Sequence, residues 1–332
     1  VRPIDLSAGK VEIQNKHSFL SLSHVRLIWS IAEDGEEVLE GQIDDIIIGP
    51  QQTAAISLIY SLPEMDPQKE YHLLVSFQLK EDTRWAKAGY EIAWDQFSIP
   101  AAPFIKTPHV SSGKAPQVKE DDTRIHIQGK DFTAAIGKRS GGLASLDYGY
   151  GELIHGTLVP NYWRALTDND RGYANFKPEF AWLFIDRSWE RATRTRLVKA
   201  INTDIRDDSV TVSITQSVRF AKGDVLTAYT VYSDGAILVR HSITPAKDML
   251  RLGMQVQLPA IYDTFTWYGK GPYENYSDRN TGAKIGIHSG KVDKLIHQYV
   301  RPQENGNRTD IRWAEITDAI GRGLRIEDAS GT

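Results

Sequence analysis

Cysteine is absent from all 332 residues, which removes disulfide frameworks, thiolate zinc sites and cysteine nucleophiles together. Also missing is any apolar run near the roughly 18 residues that a membrane-spanning helix needs; stretches such as Ile46–Ile48 are short. Lys and Arg total 39 against 43 Asp and Glu, and the signs are interspersed, with no long basic block to follow a phosphate backbone. These absences exclude nucleic acid and membrane as partners and predict a soluble protein. Among nine histidines no H-x-x-H or HExxH pattern occurs, so zinc is not expected. His155, His241 and His297 are read as packing or surface residues. Neither a G-x-S-x-G elbow nor a glycine-rich phosphate loop is present, which leaves serine hydrolase and nucleotide-binding readings unsupported.

What the sequence does hold is alternation. Tyr71, Leu73, Val75, Phe77 and Leu79 recur with period two, which predicts a strand with one side on a core and the other in water. Val212, Ile214, Val218 and Phe220 repeat the pattern, as do Leu252, Met254, Val256 and Leu258 before Pro259. Two Asp-Gly pairs suit the positive φ angles of tight hairpins. Asp34-Gly35 predicts the pairing of Val25–Ala32 with Glu36–Ile43, and Asp234-Gly235 that of Val225–Tyr232 with Ala236–Ile243. Helical periodicity is confined to Pro178–Arg194, where Phe180, Leu183, Phe184 and Trp189 share a face.

With 41% hydrophobic and 25% charged residues, a chain of this length predicts two packed domains. Proline and small residues between Pro100 and Lys119 mark the boundary. The expected division is an immunoglobulin-like sandwich over residues 1–105, a linker over 106–116, and a larger all-β unit over 117–332. The chain opens at Val1-Arg2-Pro3 and closes soon after another strand-like alternation, Gly323–Asp328. The expectation is a piece of something longer whose last sheet is short of strands.

Three segments concentrate polar, aromatic and turn-forming residues. In the first, Trp163, Arg164, Asp168, Asn169 and Asp170 precede Gly172. The D-x-D-x-G spacing resembles the start of a calcium loop, but the distal Glu is absent, and Asp and Asn also fix turns through side-chain hydrogen bonds. In the second, Trp267, Tyr268, Tyr273 and Tyr276 offer aromatic platforms for a sugar, with Glu274, Asn275, Asp278 and Arg279 as hydrogen-bonding partners. Against this stands a structural reading in which Glu274 and Arg279 brace the loop as an internal ion pair. The third carries Arg301, Glu304, Asn305 and Arg308, a content that suits a salt-bridge network or a domain interface. Glycoside hydrolysis needs two carboxyl groups facing each other across the bond, and nothing marks Glu274 and Glu304 as such a pair.

The same segments carry a family resemblance. Trp267, Gly269, Gly271, Pro272, Glu274, Asn275, Tyr276, Asp278 and Arg279 match a W-x-G-x-G-P-x-E-N-Y-x-D-R pattern of family 2 β-galactosidases. Arg164, Ala165, Asp168, Asn169, Asp170 and Gly172 resemble an upstream R-A-x-x-D-N-D-x-G segment. Pro302, Glu304, Asn305, Gly306 and Arg308 resemble a downstream P-x-E-N-G-x-R. Ala88–Ile99 is similar to the strand leading out of the family's second immunoglobulin-like domain. The resemblance implies an immunoglobulin-like β-sandwich followed by a galactose-mutarotase-like β-supersandwich, both C-terminal to a catalytic barrel. It further implies that the catalytic glutamates, with magnesium and sodium, belong to that barrel and not to this chain, and that the family's G-G-D-x-S-W sugar-contacting loop lies beyond Thr332. The partners it implies are the barrel, a β-galactoside held by the whole enzyme, and further copies in a homo-oligomer. The compartment it suggests is bacterial cytoplasm or periplasm. The other class of function to weigh is a carbohydrate-binding module using Trp267, Tyr268 and Tyr273.

Overall fold

In the computed structural model, residues 1–62, 64–100, 109–172 and 187–329 are described. The first hundred residues give seven strands: β1 (Arg2–Asp5), β2 (Lys10–Gln14), β3 (Val25–Glu33), β4 (Glu36–Ile43), β5 (Thr53–Ser57), β6 (Tyr71–Leu79) and β7 (Glu91–Ile99). They form a three-stranded sheet, β1-β2-β5, and a four-stranded one, β4-β3-β6-β7, antiparallel throughout. Alternation aims Val11 and Ile13 of β2 at Val25, Leu27, Trp29 and Ile31 of β3 and at Leu73, Val75 and Phe77 of β6, all in one buried cluster. Each such side chain contributes about 1.5–3 kcal/mol on burial. The β3–β4 hairpin turns at Asp34 and Gly35, both with positive φ, as the sequence predicts.

The rest of the chain runs β8 (Gln117–Glu120), β9 (Arg124–Gln128), β10 (Thr133–Gly137), β11 (Gly142–Asp147), β12 (Val159–Asn161), the short helices α1 (Asp168–Arg171) and α2 (Ser188–Arg194), then β13 (Leu197–Ile205), β14 (Ser209–Ser217), β15 (Val225–Tyr232), β16 (Ile237–Ser242), β17 (Gly253–Gln255), β18 (Thr264–Gly271), β19 (Lys284–Lys291), β20 (Trp313–Thr317) and β21 (Gly323–Glu327). Three four-stranded sheets result, β11-β10-β9-β8, β13-β14-β15-β16 and β19-β18-β20-β21, together with the pair β12-β17. Ile125, Ile127 and Ile136 of the first sheet share a buried cluster with Val210, Val212, Ile214, Tyr229 and Val231 of the second. The protein is all-β, built of antiparallel sheets packed as sandwiches, in agreement with its sequence pattern.

Several expectations need correction. The β6 face expected in water is covered: His72 and Ser76 are buried, because the later sheets pack over it. Ser76 donates to Glu91 (2.6 Å), and Glu91 also receives Lys284 of β19 (2.7 Å). The Gln96 amide pairs with the Ile285 backbone in both directions, at 2.8 Å each. Val218 and Phe220 lie beyond the end of β14, where Phe220 takes a positive φ that no ladder accommodates. The strand expected over Leu252–Leu258 shrinks to the three residues of β17, since its partner β12 offers only three positions. Of the predicted helix, Ser188–Arg194 is helical, whereas Phe180, Leu183 and Phe184 lie outside the described residues. So does much of the expected boundary, at residues 101–108.

Candidate functional site

The three polar segments converge. Strand β18 brings Trp267 to Gly271 alongside the chain at 309–312, and a Cβ at Gly269 would sit 2.7 Å from the Asp310 carbonyl oxygen and 2.8 Å from Ile311 Cα. Only glycine permits that approach. Lys270 N–H then donates to the Thr309 carbonyl (3.2 Å) and Asn275 N–H to the Asn307 carbonyl (2.9 Å).

Asn275 is the hub, 1% exposed. Its amide nitrogen donates to the carbonyls of Lys270 (3.2 Å) and Tyr273 (3.0 Å). Its oxygen accepts from Thr309 N–H (2.8 Å) and the Thr309 hydroxyl (2.7 Å). Asn307 Nδ2 returns a bond to the Asn275 carbonyl (2.9 Å). All four valences of one side chain therefore tie two loops some thirty residues apart, which is why an amide is needed there and an aliphatic residue would not serve.

Beside it, Glu274 accepts from the Gly306 N–H (2.7 Å), the Arg279 guanidinium and the Tyr299 hydroxyl. Burial works to raise the Glu274 carboxyl, but these three donors outweigh it and hold its pKa below the ordinary glutamate value. The Tyr299 hydroxyl, desolvated and committed to that carboxylate, is pushed up to about 12. Arg279 also lies over the Tyr276 ring (4.9 Å), and Arg308 over Trp267 (4.9 Å) while donating to the carbonyls of Gly306 and Asn307 at 3.1 Å each. Asn305 Nδ2 closes its own turn on the Gln303 carbonyl (3.2 Å).

The segment at 163–172 joins from the other side. Thr167 and Asp170 form a capping box on α1. Asp170 takes both terminal nitrogens of Arg164, at 2.5 and 3.1 Å. Burial opposes its ionisation, yet Arg164 and the Thr167 amide and hydroxyl keep the Asp170 pKa lowered. Asp168 meets Gln303 through its amide (3.2 Å) and its carboxylate (3.2 Å), and Glu304 pairs with Arg251 (2.6 Å). Asp170 thus fixes its own turn through Thr167, while Asp168 ties this segment to Gln303. Asn169 is exposed, and Trp163 packs on the Tyr162–Trp189 cluster.

The aromatic platform is corrected by burial. Trp267 is 1% and Tyr268 2% exposed, so neither face is open to a sugar; Tyr273, at 80%, is the exposed member. Tyr268 lies beneath the Asp34-Gly35 hairpin, where a Gly35 Cβ would come within 2.9 Å of its ring. Its hydroxyl donates to Glu70 (3.1 Å), which also accepts from Arg312 Nε (2.8 Å). Tyr268 is a contact between the N-terminal sandwich and the later sheets. Sequence reasoning missed Tyr299, Arg251, Gln303, Thr309, Glu70 and Arg312. Their partners in the other loops lie between 20 and 242 residues away, and no local pattern marks such pairings.

Stacked antiparallel sandwiches carrying a densely hydrogen-bonded polar loop cluster define an all-β structural class. The particular family follows from comparison: the profile of the β-galactosidase small chain matches residues 128–328, and that of β-galactosidase domain 4 matches residues 11–100. The chain belongs to the β-galactosidase small-chain family. It is 36% identical over 331 residues to a β-galactosidase of Priestia megaterium, covering 98% of this chain and 31% of that protein. It is 31% identical to one of Halalkalibacterium halodurans, covering 95% of this chain and 31% of that protein. Against one of Lactobacillus delbrueckii subsp. bulgaricus the identity is 29%, with 96% and 31% covered. The chain therefore spans 31% of the length of these relatives. Among the described residues, no helix is long and apolar enough to cross a membrane.

Proposed function

We propose that this chain is a non-catalytic scaffold portion of a β-galactosidase, standing C-terminal to a catalytic barrel and walling the site in which the whole enzyme hydrolyses terminal β-D-galactosides with retention. Residues 1–105 and 117–332 act as its two domains, linked by 106–116. The loops at 163–172, 267–279 and 301–313 form the face that meets the barrel. Magnesium and sodium belong to the barrel on this reading; among the described residues, no group of three or more His, Asp or Glu is arranged to hold a metal ion.

The observation that carries the reading is the state of the site's carboxylates. A glycosidase needs one carboxyl that keeps a proton to give and another free to attack or to activate water. Glu274 instead accepts three donors and is held ionised, while Glu304 is tied to Arg251. Loop-bracing groups of this kind fix a surface for another domain without chemistry of their own. The test is incubation of this chain alone with a chromogenic β-galactoside, where no turnover above background is expected. Turnover that vanishes in Glu274→Gln would overturn the reading.

A further inference from the structure

A second cluster of arginines lies apart from these loops. Arg124 opens β9, Arg139 and Ser140 form the β10–β11 turn, Arg194 ends α2 and Arg196 follows it; with Thr157 they line a cavity of about 450 Å³. No carboxylate lines it. The nearest acids are engaged elsewhere: Asp121 accepts from the His126 ring (2.8 Å) and from the Thr123 and Arg124 amides, and Glu120 pairs with Lys138 (2.6 Å). Arg194 shares Glu190 with Arg187. Among the described residues, Arg124 and Arg139 have no ion-pair partner, and Arg196 Nε is buried without a hydrogen bond, although Arg196 Nη1 donates to the Pro160 carbonyl (2.9 Å).

Four guanidiniums line this one depression and, among the described residues, only Arg194 has a carboxylate partner, Glu190; like charges gathered in this way repel one another. That repulsion is relieved by a ligand that brings oxygen acceptors and negative charge. Guanidinium forks match a phosphoryl group's oxygens in pairs, and the Ser140 and Thr157 hydroxyls add neutral donors. The depression is open to solvent on one side and its roughly 450 Å³ leaves room for more than one phosphoryl group or for an ester's organic part. We propose that this cavity is a binding site for a small phosphoryl compound, a diphosphate or phosphate ester, separate from the galactoside chemistry and independent of the scaffold reading above.

The experiment is calorimetric titration of this chain with sodium pyrophosphate and with ribose 5-phosphate, each against sodium chloride at matched ionic strength and against citrate. Saturable binding of a phosphoryl probe, absent with chloride and weakened about tenfold by Arg139→Gln, is the expected result. Arg124→Gln with Arg139→Gln should weaken it further. Both side chains are exposed and without partners, so circular dichroism of the variants should match that of the unsubstituted chain; if the double variant fails to fold, Arg139→Gln alone decides. Heats equal to those of chloride, citrate binding tighter than pyrophosphate, or undiminished binding in Arg139→Gln would each overturn the proposal.

Discussion

The two arginine-rich regions differ in what their charges face. At the loop cluster, Arg164, Arg279 and Arg308 are engaged with Asp170, with Glu274 and with backbone carbonyls. At the β9–β11 cavity, Arg124 and Arg139 meet no carboxylate. The cluster that announces itself in the sequence pairs most of its charges internally, although Arg308 Nε and the Tyr276 hydroxyl find no hydrogen-bond partner among the described residues, and the one lined by no carboxylate is scattered over positions 124 to 196. A dense motif reports how a loop is built. Charges without a carboxylate partner report where something else can bind.

If the loop cluster is a structural unit, its hub should carry the largest single effect. Asn275→Ala removes four side-chain hydrogen bonds from a buried position and leaves backbone groups of Lys270, Tyr273 and Thr309 without those partners. A loss of about 3–4 kcal/mol is expected, read as a lower urea midpoint at unchanged m-value. A change below about 1 kcal/mol would mean that water replaces the amide and that the cluster is looser than its bonding suggests.

Next in size is Glu274→Gln, expected to cost about 2 kcal/mol at pH 7, since hydrogen bonds to an ionised acceptor are the stronger kind. The pH dependence has a definite sign. The folded-state pKa of Glu274 is depressed, so its stabilisation is complete above the unfolded glutamate value of about 4.3 and disappears as pH falls through the lower folded value. The stability gap between the unsubstituted chain and Glu274→Gln should therefore be constant from pH 7 to 5 and close as pH falls below about 4. A gap that widens on acidification would show that the carboxyl is protonated in the fold.

Much of this architecture was legible in the sequence because it rests on local rules. Period-two alternation marked β6, Asp-Gly marked both hairpins, and the Glu274–Arg279 brace followed from opposite charges five residues apart. The failures share a cause. His72 and Ser76 looked solvent-facing because the sheet that covers them lies some two hundred residues further on. Tyr268 looked like a sugar platform because nothing in its neighbourhood announces that the turn at Gly35 will cover it. Tyr299 and Arg251 entered the loop cluster from positions outside every motif.

The smallest expected effect is the most discriminating, because it sets one arginine against another. Arg279→Gln removes a charge from the bonded set around Glu274 and leaves that carboxylate with two of its three donors. The Arg279 side chain is half exposed, so water makes good part of the loss, and about 1 kcal/mol is expected. Arg139→Gln removes an exposed charge that pairs with nothing and stands among like charges. In buffer free of phosphate its effect should stay within about 0.5 kcal/mol and lean towards stabilisation, because repulsion with Arg124, Arg194 and Arg196 is relieved. Urea denaturation at low and high salt separates the cases: added salt should reduce the cost of Arg279→Gln and erase any gain from Arg139→Gln. Equal losses in the two variants would mean that the cavity arginines are as structurally engaged as those of the loops, and the distinction between a braced cluster and an open one would fail.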